Sequence, residues 1–473
     1  MTDLLRGGHI HLVAVCGVGM AALAGLLQSQ GYRVTGSDQN VYPPMSDYLH
    51  GLGIELVSGY SEENLKEGAD LVIVGNAVSR NNPEVEATLR LGIAHISLPQ
   101  ALGRFLIGSK RSLVVAGTHG KTTTTSLIAW VLTKAGRDPS FFVGGIPINF
   151  ETGFKQGQGA WAVMEGDEYD SAFFDKGPKF LHYKPEKVIL TSLEFDHADI
   201  YRDLEHLKSA FRRLMEIIPP DGTLFVCNEY AAAKEVSRTA RCPVIHYGDQ
   251  EPGHWEARNI HTKGRRSRFE PLYHGKSEGE MEVTLVGRHN VSNALAAYAL
   301  GRELGIDRQI LREALATFAG VRRRQEWKGE VAGVTVIDDF AHHPTAVKET
   351  IMALKAAYPG RRLWAIFEPR SHTSRRRIFE REFAETLSGA DEIVIAGLYQ
   401  ANKIPETDRL SPEAVVHEIN RLCGDSRALF IEEVKGIPPY VAKKAQSGDV
   451  VLVMSNGGFD GVQDKILRAL AVR

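Results

Sequence analysis

The chain has 473 residues, 43% of them hydrophobic, with a formal net charge of −2. That length gives two to four domains, each able to bury a core, and no apolar run approaches the roughly 18 residues of a membrane span. So balanced a charge argues against a general nucleic-acid binder, and the Arg322–Arg324 and Arg375–Arg377 runs read as local anion sites or solvated faces.

Residues 1–8 carry no apolar signal segment, so export is not expected. A strand over 11–15 then runs into Gly17-Val18-Gly19-Met20-Ala21-Ala22, the G-x-G-x-x-[GA] turn between a strand and a helix. Asp38 follows about 20 residues on, after a strand over 33–36, where a dinucleotide-type fold places an acid. The turn suits NAD, FAD or any diphosphate nucleotide, and also plain helix–strand packing. A strand over 71–74 ends in Gly75-Asn76-Ala77-Val78-Ser79, polar residues of the kind that line the ligand crevice of such sheets. Residues 1–110 therefore read as a small Rossmann-like domain for a nucleoside diphosphate.

Residues 111–319 open with a strand over 113–116, then Gly117-Thr118-His119-Gly120-Lys121-Thr122-Thr123 and a helical segment over 127–132. Strand, glycine loop and helix are the context of a phosphate cradle, here shortened relative to G-x-x-x-x-G-K-[ST]. The loop N–H groups are expected to face a polyphosphate, Lys121 to reach its end from a solvent-facing loop, and Thr122 to hold Mg²⁺. Strands over 161–164, 187–191 and 223–226 continue the pattern. The first ends in Glu165-Gly166-Asp167-Glu168-Tyr169-Asp170, a site for a second Mg²⁺ ligand or a solvated acidic turn. The second ends in Glu194-Phe195-Asp196-His197, where His197 is a metal ligand or a structural histidine. The polar stretch 248–279 reads as hairpins or surface loops. In Gly287-Arg288-His289-Asn290-Val291-Ser292-Asn293, which opens a helix, the Asn293 amide suits an adenine edge, or the polar residues are caps.

Residues 320–473 alternate strands (335–337, 363–367, 392–396, 450–454) with helices, a third α/β unit with parallel strands expected. Asp338-Asp339-Phe340-Ala341-His342-His343 follows a strand, with acids placed for a ribose and histidines that also suit a metal. The four cysteines, Cys16, Cys227, Cys242 and Cys423, form no C-x-x-C pair and fit a reduced cytoplasm.

Taken together, these strings resemble the Mur ligase family over nearly the whole chain. The motifs G-T-H-G-K-T-T, E-x-D-E-x-D, x-D-H, G-x-H-N-x-x-N, [HR]-R-x-[EDQ] and D-[DY]-x-x-H occur in the family's order. The resemblance implies an ATP-dependent amide ligase of the bacterial cytoplasm, with domains for a UDP-sugar, for ATP, and for an amino acid or peptide. It gives Lys121 and Thr122 to the ATP phosphates, with Gly117, Thr118, His119, Gly120 and Thr123 around them. Thr122, Glu165 and His197 fall to Mg²⁺, and Lys121, Glu165 and His197 to catalysis. Asn290 and Asn293 fall to adenine, Arg324 to the nucleotide phosphates, and Asp339 with His342 to the ribose side. Gly17, Gly19, Met20, Asp38, Asn76 and Ser79 fall to the UDP-sugar, and Arg370, Ser371, Ser455 and Asn456 to the peptide.

Within the family, the stretches Val41-Tyr42-Pro43-Pro44-Met45-Ser46, Gly145-Ile146-Pro147-Ile148-Asn149-Phe150, the run from Asp167 to Lys176 and Phe367-Glu368-Pro369-Arg370-Ser371 are similar to the branch that adds a murein tripeptide to UDP-N-acetylmuramate. The branch that adds L-alanine is the alternative. Gly166 replaces the usual alanine of the acidic turn. No lysine stands at the spacing of the carbamylated lysine several members use: Arg212 falls near it, and Lys208 is too close to His197. The diaminopimelate-recognising D-N-P-R motif is missing. Membrane or nucleic-acid partners are not expected, and a monomer or weak homodimer is. A regulatory P-loop ATPase leaves the first domain unexplained; a dehydrogenase leaves the phosphate loop unexplained.

Overall fold

The computed structural model describes residues 7–41, 45–249 and 251–473. Residues 1–6, and 42–44 of the Val41–Ser46 stretch, lie outside the described residues. Two compact units form: one of Met1–Leu193, Glu205–His254 and Ala296–Ala314, the other of Glu194–Leu204, Trp255–Leu295 and Leu315–Arg473.

The first unit holds a parallel sheet, a second sheet parallel but for one edge pairing, and an antiparallel pair, Asp170–Ala172 with Asp175–Pro178. Strands β1 (His9–Val13), β2 (Arg33–Asp38), β3 (Glu55–Ser58), β4 (Leu71–Val74) and β5 (His95–Ser97) lie in the order β3-β2-β1-β4-β5, every pair parallel. All five residues of β1 and all four of β4 are buried, as in strands covered on both faces. β1 thus begins and ends two residues earlier than the sequence suggests. The chain leaves it through Ala14, at φ 66°, and Gly17 caps the helix Val18–Ser29. Gly36 is required by close approach: a β-carbon there would stand 2.7 Å from Cβ of Val15.

The second sheet runs Val244–Gly248, Thr223–Cys227, Lys187–Leu190, Arg111–Ala116, Trp161–Gly166, Ser140–Phe142 and Phe154–Lys155. Only the last pairing is antiparallel. Arg111–Ala116 sits centrally between Lys187–Leu190 and Trp161–Gly166, so the chain segments after all three strands leave from the same sheet edge.

The second unit carries antiparallel strands Trp255–Lys263, Arg266–Tyr273 and Met281–Val283, so the polar stretch forms hairpins. Its other sheet has the order Glu326–Val331, Val334–Asp339, Val450–Met454, Leu363–Phe367, Glu392–Ala396, Ala428–Ile431. The four expected strands pair parallel with one another, and an edge strand outside them, Glu326–Val331, pairs antiparallel with Val334–Asp339 through a two-residue turn. Each α/β sheet carries its own apolar core. In the second unit one face buries Phe367, Phe383 and Leu452, and the other Trp364, Val451 and Ile466.

Candidate active site

Strand Arg111–Ala116 delivers the chain to Gly117, whose φ of 135° only glycine adopts readily; a β-carbon would stand 2.4 Å from Thr191 Oγ1 and 2.7 Å from the Ser192 carbonyl. Gly120, at φ 82°, then caps the helix Lys121–Lys134. The Thr118 and His119 amides do not face an open cradle. They donate to the Ser192 carbonyl (3.2 Å) and hydroxyl (2.7 Å), pinning the loop to the end of the neighbouring strand. What the loop offers a phosphate is therefore the start of the helix, where first-turn N–H groups have no intrahelical acceptor.

Lys121 is not in a solvent-facing loop. Its side chain is 12% exposed, and Nζ donates to the Gly117 carbonyl and to both carboxylate oxygens of Glu168, at 3.0 and 2.8 Å. Burial alone would lower the ammonium's pKa, but Glu168, with Asp167 and Glu165 behind it, raises it. Lys121 is thus held fully charged. Glu168, 1% exposed, is the partner of Lys121 that sequence reasoning missed. Its signal was the acidic turn itself, whose members take separate partners: Glu165 pairs with Thr122, Asp167 with Lys179, Glu168 with Lys121 and Asp170 with Lys176. Thr122 Oγ1 donates to Glu165 at 2.8 Å, and Glu165 also accepts from the Gly144 amide at 2.6 Å. A hydroxyl and a carboxylate side by side are the hard oxygen donors that Mg²⁺ takes, and the charged Lys121 with the start of the helix Lys121–Lys134 suits a phosphate beside them. The residues present fit both groups.

In the second unit, Asp196 is 3% exposed and accepts from the His197 amide (2.7 Å) and the Thr373 hydroxyl (2.8 Å). Burial would raise its pKa, but His197, His342 and His343 hold it far below the ordinary carboxylate range. His197 itself stands at φ 58°, a conformation that a bulky residue holds only under constraint. Burial pushes the His342 imidazole down, against the pull of Asp196. His343 Nε2 meets the Phe195 carbonyl at 3.2 Å. Asn290 donates to the Val286 carbonyl and the Gln325 side chain, and Asn293 to Asn290, at 3.3 Å, so the two amides form one chain. Arg324 lies 4.4 Å over the Phe340 ring. Asp339, 5% exposed, accepts from the Gln325 and Ala341 amides with one oxygen each, and its pKa is raised by burial; it fixes its own loop to the segment at Gln325.

Asp38 behaves alike in the first unit: buried at the end of β2, it accepts from the Cys16 and Asn40 amides, both at 2.9 Å, and so fixes the glycine turn. Met20 is buried, leaving only its backbone to a ligand, whereas Asn76 and Ser79 are exposed at the end of β4. Lys208 ion-pairs with Glu205 and Glu235 at 2.6 Å, which raise its pKa, and carbamylation requires a neutral amine.

Three family models match this chain in sequence: the Mur ligase catalytic domain over residues 9–110, the Mur ligase middle domain over 115–301 and the Mur ligase glutamate ligase domain over 323–457. The chain belongs to the Mur ligase family. It is 42% identical over 98% of both chains to the UDP-N-acetylmuramate–L-alanyl-γ-D-glutamyl-meso-2,6-diaminoheptandioate ligase of Escherichia coli. To the UDP-N-acetylmuramate–L-alanine ligase of Carboxydothermus hydrogenoformans it is 35% identical, over 97% of this chain and 96% of that one. Among solved structures, a murein peptide ligase from Psychrobacter arcticus superposes with a TM-score of 0.73 at 34% identity, over 98% of this chain and 99% of that one. This Mur ligase is accordingly an ATP-dependent, amide-forming enzyme. No helix among the described residues is long and apolar enough to cross a membrane.

Proposed function

We propose that this Mur ligase joins the tripeptide L-alanyl-γ-D-glutamyl-meso-diaminopimelate to UDP-N-acetylmuramate, a step of peptidoglycan recycling in the bacterial cytoplasm. The observation that carries the substrate is full-length identity of 42% to a ligase named for that peptide, against 35% to one named for L-alanine. The domain roles follow: residues 1–110 for the UDP-sugar, 111–319 for ATP, 320–473 for the peptide and for closing over ATP.

A carboxylate is a poor electrophile, and taking ATP's γ-phosphoryl makes it an acyl phosphate that an amine can attack, releasing phosphate as the amide forms. Lys121 supplies fixed positive charge at the phosphate loop, and the helix start adds N–H donors, both set before reaction. Glu168 holds Lys121 in place. Thr122 and Glu165 would hold one Mg²⁺ and His197 a second, ions that when bound neutralise charge on the transferring group. Asn290 and Asn293 would meet adenine, while Arg324, steered by Asp339, and His342 would meet phosphate and ribose. The glycine turn at Gly17 and Gly19, the Met20 backbone, Asn76 and Ser79 would meet the UDP-sugar, with Asp38 setting the turn.

Phosphate release tests the chemistry. It should require ATP, Mg²⁺, UDP-N-acetylmuramate and tripeptide together; brisk release from ATP alone would favour a regulatory ATPase. Glu165→Ala and His197→Ala should each raise the Mg²⁺ concentration for half-maximal rate, and an unchanged requirement would return that residue to a structural role.

A further inference from the structure

Three chain segments of the second unit, at Glu368, Tyr399 and Gly457, meet the Arg370 guanidinium. It lies 3.6 Å over the Tyr399 ring, a close cation–π stack. It also lies across Gly457: a β-carbon there would stand 1.8 Å from Arg370 Nε, so any side chain at 457 must displace the arginine. Arg370 NH1 is 3.5 Å from Glu368, a contact at the limit of a hydrogen bond, and the other Glu368 oxygen accepts from Ser455 Oγ at 2.5 Å.

Beneath this stands Arg375, 4% exposed, whose guanidinium donates to the Ser371 carbonyl (3.2 Å) and to those of Tyr399 (2.9 Å) and Gln400 (3.3 Å), and, among the described residues, to no carboxylate. It ties the Arg370-bearing turn to the Tyr399 loop while adding buried, uncompensated positive charge. Asn456 Oδ1, in the adjoining loop, is buried with no hydrogen-bond partner. A surplus of cationic charge around a guanidinium fixed on an aromatic face suits a carboxylate.

We propose that Tyr399, Arg375 and Gly457 are positioning residues that hold Arg370 as a fixed reader of a carboxylate on the distal end of the peptide. The site then separates a peptide acid from its amide. This rests on the peptide-ligase reading above, and deepens it.

The test measures kcat and KM for the tripeptide and for its C-terminal carboxamide, in the full chain with saturating ATP and UDP-N-acetylmuramate. The parent should favour the acid by about tenfold or more. Tyr399→Leu and Gly457→Ala should each cost the acid about tenfold in kcat/KM, chiefly through KM, and leave the ATP KM and the amide reaction unchanged. Tyr399→Phe should restore the parent's preference, since the aromatic face survives. The unchanged ATP KM reports that each variant is folded. An acid-to-amide ratio equal to the parent's in both Tyr399→Leu and Gly457→Ala would overturn the proposal, as would a parent indifferent to the carboxylate. A parent that turns over neither peptide would instead remove the peptide-ligase reading.

Discussion

Lys121 and Glu168 show how much a single buried pair decides. Side chains 12% and 1% exposed leave neither charge a solvent to fall back on. Removing one partner strands the other, at a cost of about 3–5 kcal/mol, whereas removing both is far milder. Lys121→Ala should therefore abolish ligation and also lower the melting temperature. Adding Glu168→Gln should recover much of the stability and none of the activity. A single variant as stable as the parent would contradict the pairing. Asp338 gives a pH signature. Burial pushes its pKa up to about 6 from the ordinary 3.8, against the pull of Arg323. A raised carboxyl contributes stability below the unfolded value, lost as pH rises through the folded one. Asp338→Asn should thus melt higher than the parent at pH 8, by on the order of 3 kcal/mol, with the gap closed at pH 4. Gaps of equal size at both pH values would refute this assignment. Residue types and motif spacing were legible in the sequence; their direction was not. Asp38 and Asp339 stand where acids that meet a ribose stand, yet both turn back onto backbone amides, because a carboxylate takes whichever N–H groups the local turn offers.

At the scale of elements, the strands 71–74, 363–367, 392–396 and 450–454 were readable residue for residue, because strands buried on both faces are unbroken apolar runs between polar ends. Glu326–Val331 was not readable. Its residues, Glu-Trp-Lys-Gly-Glu-Val, carry no such run, and an edge strand needs none. Nor does local sequence encode that Arg111–Ala116 lies between Trp161–Gly166 and Lys187–Leu190, the adjacency that brings Glu165 to Thr122. The shortened phosphate loop depends on Gly117 for both conformation and space. Gly117→Ala should cost about 2 kcal/mol or more of stability and most of the ATP affinity, read by melting and by nucleotide titration. Parent-like ATP binding in that variant would mean that the loop does not depend on this geometry.

Over the whole molecule, three parallel-rich sheets lie in two compact units, and in the proposed function each substrate of the ligase takes the strand ends of one sheet. The family was legible because its motifs occur in order along almost the entire chain. The choice of amine is the finer question, since peptide-adding and alanine-adding relatives both match end to end. Physically, a site for a long anionic peptide draws binding energy from distal carboxylates that alanine lacks, and part of that energy is realised in the transition state. The decisive measurement is kcat/KM for L-alanyl-γ-D-glutamyl-meso-diaminopimelate against free L-alanine, with saturating ATP, Mg²⁺ and UDP-N-acetylmuramate. The tripeptide should be preferred by about 100-fold or more. A preference for L-alanine would contradict the account of the substrate while leaving the ligase chemistry in place.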